Sequence, residues 1–156
     1  MENKTNKADQ LKMALELLKE TTHGILSTQS IDLPGFPFGS LTPFCLDHNN
    51  ELIIYVSHLA QHTKNMNQDS KVSLTVVKDT EEEEKQAHAR YTYLAEASII
   101  EENSEDYKET SRKYFEKFPA SEEYSSAHGF NFYRLNFVRG RYIGGFGKIF
   151  WINKET

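Results

Sequence analysis

A single cysteine, Cys45, stands among the 156 residues, so no intrachain disulfide can brace the fold. Together with an opening segment, MENKTNKADQ, too polar for a secretory signal, this points to a reducing cytoplasm. No apolar run approaches the ~20 residues that a membrane-spanning helix needs, which leaves the membrane out as an expected partner. Nor is there a basic excess. Lys and Arg number 18 against 23 Asp and Glu, for a formal charge of -5, whereas broad nucleic-acid binding draws most of its affinity from neutralising phosphates. Nucleic acid is therefore not an expected partner, and any phosphate contact has to be local. Internal repeats are missing, as are linkers rich in Gly, Pro or Ser; one acidic run, Glu81 to Glu84, has the character of a solvated loop.

What is present, 38% hydrophobic and 26% charged residues, fits one soluble domain over 1–156. A chain of this size buries roughly two thirds of its unfolded surface and needs no structural metal to fold. ADQLKMALELLKET spaces Leu11, Ala14, Leu15 and Leu18 along one face of a helix within 1–21, with Gly24 behind it as a stop. HGILSTQS and FPFGSLTPFCL, rich in β-branched and aromatic residues, predict two strands about a DLPG turn. DHNN then leads into the strand ELIIYVS as a tight loop between antiparallel neighbours does. Pro43 removes a ladder donor, so it belongs at an edge, a bulge, or a place where something other than a strand approaches. LAQHTKNMNQDS predicts a short helix, and KVSLTVV and ARYTYLAEASIIEE further strands. Over 104–118 the spacing of Tyr107, Ser111, Tyr114, Phe115 and Phe118, with acids in the first turn and Pro119 just beyond, predicts an inserted helix. FNFYRLNFVRGRYIGGFGKIFWI closes the chain as two strands or one bent strand. The sum is a mainly β (α+β) fold, an antiparallel barrel or sandwich flanked by helices, in which closure removes exposed edges.

The stretch SHLAQHTKNM carries the chemistry. His58 and His62 are four residues apart, the spacing of two zinc ligands on one helix face, but the glutamate base of the H-E-x-x-H metalloprotease pattern is missing. A third ligand would have to come from His23, His48, His88 or His128, none of which has paired spacing. The same stretch also suits an anion: Ser57 and Thr63 offer hydroxyls, His62 a ring donor and Lys64 a point charge. A helix starting near Leu59 to Gln61 would add free backbone N–H groups and its positive dipole end. A solvated polar helix face accounts for the spacing equally well. Cys45 has no His, Lys or helix start beside it in sequence and is expected to be a small buried side chain rather than a reactive thiol.

The order PFGSLTPFCLD, LIIYVSHLAQHTKNMNQDSKVSLTV, ARYTYLAEA and YRLNFVRGRYIGGFGKIFWI resembles the pyridoxamine 5'-phosphate oxidase-like FMN-binding split barrels. Within them it is more similar to the haem-utilisation branch, whose members carry an S-x-L-A-x-H-T-x-N element and a closing G-G-F-G-x element. The similarity runs from Thr22 to Ile152. It implies a six-stranded antiparallel split β-barrel that forms a homodimer, with FMN in a groove between the subunits and a flavin-dependent oxidoreductase acting on a small molecule.

Carried over by position, the resemblance implies that Ser40, Leu41 and Thr42 run beside the isoalloxazine, largely through main-chain groups. Tyr55 and Ser57 lie under the ribityl and phosphate, and His62, Thr63 and Lys64 hold the phosphate. Arg90, opening its strand, contacts the flavin or the phosphate. Such contacts to a doubly charged phosphate are charge-assisted and strong. The substrate-binding Arg, His and Tyr set of true pyridoxamine-phosphate oxidases is not placed here. The alternative ligand is haem: the branch takes its axial histidine from a C-terminal extension, this chain ends at Thr156, and His128 or His23 would have to substitute. A third reading is a barrel without cofactor that serves as a binding module. Trp151, Phe146 and Phe150 are expected as core or dimer-contact aromatics, with Trp151 also able to approach a partner's flavin.

Overall fold

The computed structural model describes residues 5–81, 83–84, 88–125, 129–145 and 147–154. Helix α1, Lys7–Glu20, starts where Asn6 Oδ1 accepts the Asp9 N–H at 2.8 Å, and it buries Ala14, Leu17 and Leu18. The strands are β1 (His23–Gln29), β2 (Pro37–Pro43), β3 (Cys45–Leu46), β4 (Leu52–Ser57), β5 (Lys71–Val77), β6 (Arg90–Ile99), β7 (Phe130–Ile143) and β8 (Ile149–Asn153). Between β4 and β5 lies α2 (Gln61–Gln68); α3 (Glu105–Lys117) and the short α4 (Ser121–Ser125) separate β6 from β7. Among the described residues no helix is long and apolar enough to cross a membrane.

All pairings are antiparallel, in the order β2-β1-β5-β6-β7-β4-β3. The 14-residue β7 carries β6 along one edge; its other edge is shared, β4 on Phe130 to Leu135 and β8 on Arg139 to Ile143. The register shifts between Leu94 and Ala95 of β6, the kind of bulge that bends a strand and helps curl a sheet into a half-barrel.

The segment expected as one strand, FPFGSLTPFCL, is two, because the chain changes partner at Phe44: β2 pairs with β1, and β3 with β4. Pro43 stands at that change. Phe44 N–H donates to Thr22 O at 3.1 Å, so Pro43, one residue back, occupies a position where its nitrogen points away from β1 to the outer edge of β2, and no ladder bond is lost. The C-terminal segment likewise resolves into two strands, turned where Gly144 N–H donates to Lys148 O. Eight strands therefore stand where six were expected, in the same antiparallel half-barrel architecture.

Two cores lie on opposite sides of β4, whose Leu52 to Val56 are all buried. On the concave side Leu26, Leu52, Ile54, Leu74, Tyr91, Tyr93 and Leu135 pack with α1 and with Met66 of α2. On the convex side Ile53, Tyr55 and Phe132 pack beneath Tyr114 of α3. Polar bonds fix α3 there. Its N-cap Ser104 Oγ accepts from Tyr107 N–H. Arg134 of β7 donates to both carboxylate oxygens of Asp106 and, at 2.8 Å, to the buried Asp47. Lys117 Nζ donates to Thr21 O and Phe44 O while lying 4.9 Å from the Phe44 ring centroid.

Candidate cofactor-binding face

Because α3 covers the convex face only near β3, β4 and the start of β7, the rest of that face is bare. Alternation along the strands decides what it shows: β1, β5 and β8 each alternate buried with more exposed positions. The registers assemble the outward residues into rows. One row reads Leu41, Ile25, Thr75, Thr92, Arg141 and Trp151 from β2 across to β8. The next reads Val77, Arg90, Ile143 and Ile149. Leu41 is 68% exposed, Ile149 54% and Trp151 41%, a large apolar display for a sheet face. Trp151 is therefore not a core residue, unlike its neighbour Phe150; Phe146 lies outside the described residues.

Cations are interleaved with these apolar groups. The Arg139 guanidinium lies 3.9 Å and that of Arg141 5.0 Å from the Trp151 ring centroid, within cation–π range. Among the described residues neither arginine forms a salt bridge. Arg90 Nη1 donates to the His88 carbonyl at 3.3 Å. A chain with net charge -5 thus gathers three guanidiniums on one apolar face, which suits a planar ligand carrying anionic arms.

The residues anticipated from the sequence divide by place. Leu41 and Arg90 share the bare face. Ser40 is partly buried and pairs with Leu26 of the core; it lies on β2, whose pairing among the described residues is with β1 alone, so main-chain groups on its outer edge stay open to a ligand. Thr42 turns inward, its hydroxyl donating to Ser40 O. Tyr55 is packed under α3, stacked on Phe132 at 4.1 Å and surrounded by Phe130, Tyr114 and Phe115. Thr63 is 1% exposed, and among the described residues its Oγ1 has no hydrogen-bond partner. Packing holds both side chains away from solvent.

Ser57, His62 and Lys64 do cluster at the start of α2. The helix begins at Gln61 as anticipated, and its N-cap, Ala60, has no side chain able to cap the first turn. Ser57 Oγ accepts from Leu59 N–H, and Lys64 is exposed. Burial holds the His62 pKa below the ordinary histidine value, so its ring favours the neutral form, which still offers one N–H donor.

His58 is tied to the loop before β7. Both the backbone N–H and Nδ1 of His58 meet Gly129 O at 3.1 Å, and a Cβ on Gly129, which has φ +63°, would lie 2.0 Å from that ring. Among the described residues no three His, Cys, Asp or Glu side chains group as metal ligands; His128 lies outside them. Cys45 is buried, and burial pushes its thiol pKa up to about 11 even though Lys117 and Lys113, distant in sequence, act to lower it.

Sequence reasoning passed over the residue that anchors α2. Asn65 is fully buried; its Nδ2 donates to Thr28 Oγ1 at 3.0 Å, and its Oδ1 accepts from Ile31 N–H and Gln61 Nε2. It is the final N of the S-x-L-A-x-H-T-x-N element, and a buried polar residue in an apolar setting is the signal that would have found it.

The family model described as CREG, β-barrel, matches residues 5–156. The chain belongs to the CREG β-barrel family. Its split-barrel fold and its relatives agree with the likeness to the haem-utilisation branch. It is similar to heme oxygenase HutZ of Vibrio cholerae, 28% identical over 132 residues that make up 83% of this chain and 74% of HutZ. It is also similar to the chloroplastic non-canonical heme oxygenase HOZ of Arabidopsis thaliana, 31% identical over 81% of this chain and 38% of that one. A heme binding protein from Mycobacterium smegmatis superposes with a TM-score of 0.84 at 23% identity, over 97% of this chain and 60% of that one. HutZ, described with its crystal structure as a heme storage protein, superposes at 0.71 with 26% identity, over 85% of this chain and 91% of that one. The chain thus spans little more than a third of the Arabidopsis relative and three fifths of the Mycobacterium one. These relatives favour the haem alternative over FMN.

Proposed function

We propose that the protein binds haem as a homodimer, on the convex face that α3 leaves bare. The observation that carries this is kinship with HutZ over most of both chains. The face fits the group: Leu41, Ile25, Ile149 and Trp151 offer apolar surface to a porphyrin plane, and Arg141 and Arg139 offer guanidiniums to its propionates. When bound, haem supplies a redox-active iron; the residues of this chain orient the plane and neutralise its carboxylates. A second copy covering the same face would shield an apolar area too large to leave in water.

Hemin titration of the purified protein, followed by the Soret band and by quenching of the single Trp151, tests this. Saturable binding is expected, weakened about tenfold in Arg141→Glu through loss of a charged hydrogen bond. Subsequent ascorbate and oxygen separate storage, in which the Soret band persists, from haem opening, in which it bleaches. FMN is the second reading, favoured by the open edge of β2 and the uncapped start of α2 beside Lys64. Flavin bound tightly with no haem response would put it first.

A further inference from the structure

His23 opens β1 with its side chain exposed, two residues before Ile25 on the same face. Its partner on β2 is Pro43. Extending the Ile25–Thr75 register by two residues places Val77 beside it on β5, and Val77 pairs with Arg90 on β6. His23 therefore belongs to the row of Val77, Arg90, Ile143 and Ile149. Two strand spacings, roughly 9–10 Å, separate it from Arg90. It also lines a cleft of about 510 Å³ with Thr22, Val77, Lys78 and His88, at which Glu20 and Asp79 add carboxylates.

The ring is held by its neighbour: Nδ1 lies 2.9 Å from Thr22 Oγ1. When Nδ1–H donates to that hydroxyl, Nε2 keeps the lone pair, the arrangement by which a second group orients a metal-binding imidazole. The other described histidines are placed elsewhere. His58 is tied to Gly129 O, His62 is half-buried on α2, His48 bonds Asn49 in the turn after β3, and His88 is buried.

We propose that His23 Nε2 is the ligand to haem iron, with Thr22 as the positioning residue, an inference that rests on the haem reading above. It gives this chain an iron ligand at the start of β1, within the sheet face that presents the apolar and cationic groups.

The test is hemin titration of the full chain, its His23→Ala and His23→Gln variants, Thr22→Val and a His58→Ala control. Trp151 quenching reports binding, and absorbance with resonance Raman reports the axial ligand. The wild type is expected to give a histidine-ligated spectrum. Both His23 variants retain quenching with affinity about tenfold weaker, lose that spectrum, and regain it with added imidazole. Thr22→Val keeps the ligand with lower affinity, and His58→Ala matches the wild type. A His23 variant with the wild-type spectrum, or the same loss in His58→Ala, would overturn the assignment. A wild type showing neither quenching nor a Soret band would instead overturn the haem reading itself.

Discussion

At the scale of single residues, the polar groups that decide the architecture are the buried ones. Asn65 joins α2 to β1 and to the loop after it through two side-chain bonds, and a third ties it to Gln61 within the helix, with no solvent to replace them. Asn65→Ala would leave the Ile31 N–H and the Thr28 hydroxyl without their partner, a loss of about 2–3 kcal/mol that chemical denaturation should show as a lower midpoint at unchanged m-value. Thr28→Val, which keeps the volume and the Ile31 bond but removes the bond from Asn65 and the longer one to Phe38 O, should cost less. Thr63 offers the opposite case. It is 1% exposed, and among the described residues its Oγ1 has no hydrogen-bond partner. Thr63→Val, which keeps the shape and removes that unsatisfied oxygen, is therefore expected to melt at or slightly above the wild-type temperature. Asn65 was printed in the sequence motif, yet its role was illegible there, because Asn on a polar helix and Asn inside a core have the same spelling until Thr28 and Ile31 are brought against it. The same limit hid the inward turn of Thr63 and the packing of Tyr55: helical or strand periodicity says which residues share a face but not which face a neighbouring element will cover.

At the scale of elements, α1, α3 and most strands were legible, since each carries its own period and its own stops: Ser104 and the acids at the head of α3, Pro119 past its end. The division of FPFGSLTPFCL was not, because a change of strand partner at Phe44 leaves no local mark beyond Pro43. What holds α3 against the sheet was equally hidden, being a contact between Arg134 and two acids far from it in sequence. Those hydrogen bonds hold the Asp106 carboxyl below its ordinary range, with the Arg134 bond the largest cause. A carboxyl whose pKa is lower folded than unfolded binds fewer protons in the native state, so its contribution is complete above the unfolded value, near 4, and is lost as pH falls through the folded value. Stability measured by denaturation from pH 7 down to pH 3 should therefore fall more steeply for the wild type than for Asp106→Asn. Arg134→Met should cost about 3 kcal/mol at pH 7, because it strands Asp47, a carboxylate whose side chain is 3% exposed. A loss confined to α3, seen as faster amide exchange there with the barrel intact, would mean that the helix docks as a separate unit rather than as part of one cooperative fold.

For the whole molecule, the question is why a sheet face should leave Leu41, Ile25, Val77, Ile149 and Trp151 together in water when the residues alternating with them, Thr42, Leu26, Val76, Phe150 and Ile152, are enclosed. Alternation in HGILSTQ and IFWIN is as clean as in any half-buried strand, yet the outward sets include Ile25, Ile149 and Trp151, so period alone marks one buried face where a second apolar patch is also at stake. A two-fold partner covering this face resolves that excess, and three arginines oppose it, since isologous contact sets each cationic patch near its twin. An anionic ligand between the copies would relieve that repulsion, and linkage then requires that ligand and dimer strengthen one another. Sedimentation velocity should accordingly show a dimer that dissociates at low protein concentration and tightens when hemin is added. Ile25→Lys and Leu41→Asp, which place a charge at the centre of the face without touching either core, should give folded monomers by sedimentation and unchanged melting in the far ultraviolet. A wild type that stays monomeric at every concentration, with or without hemin, would leave the bare face to another partner; a dimer unaffected by both substitutions would move the two-fold axis elsewhere on the molecule.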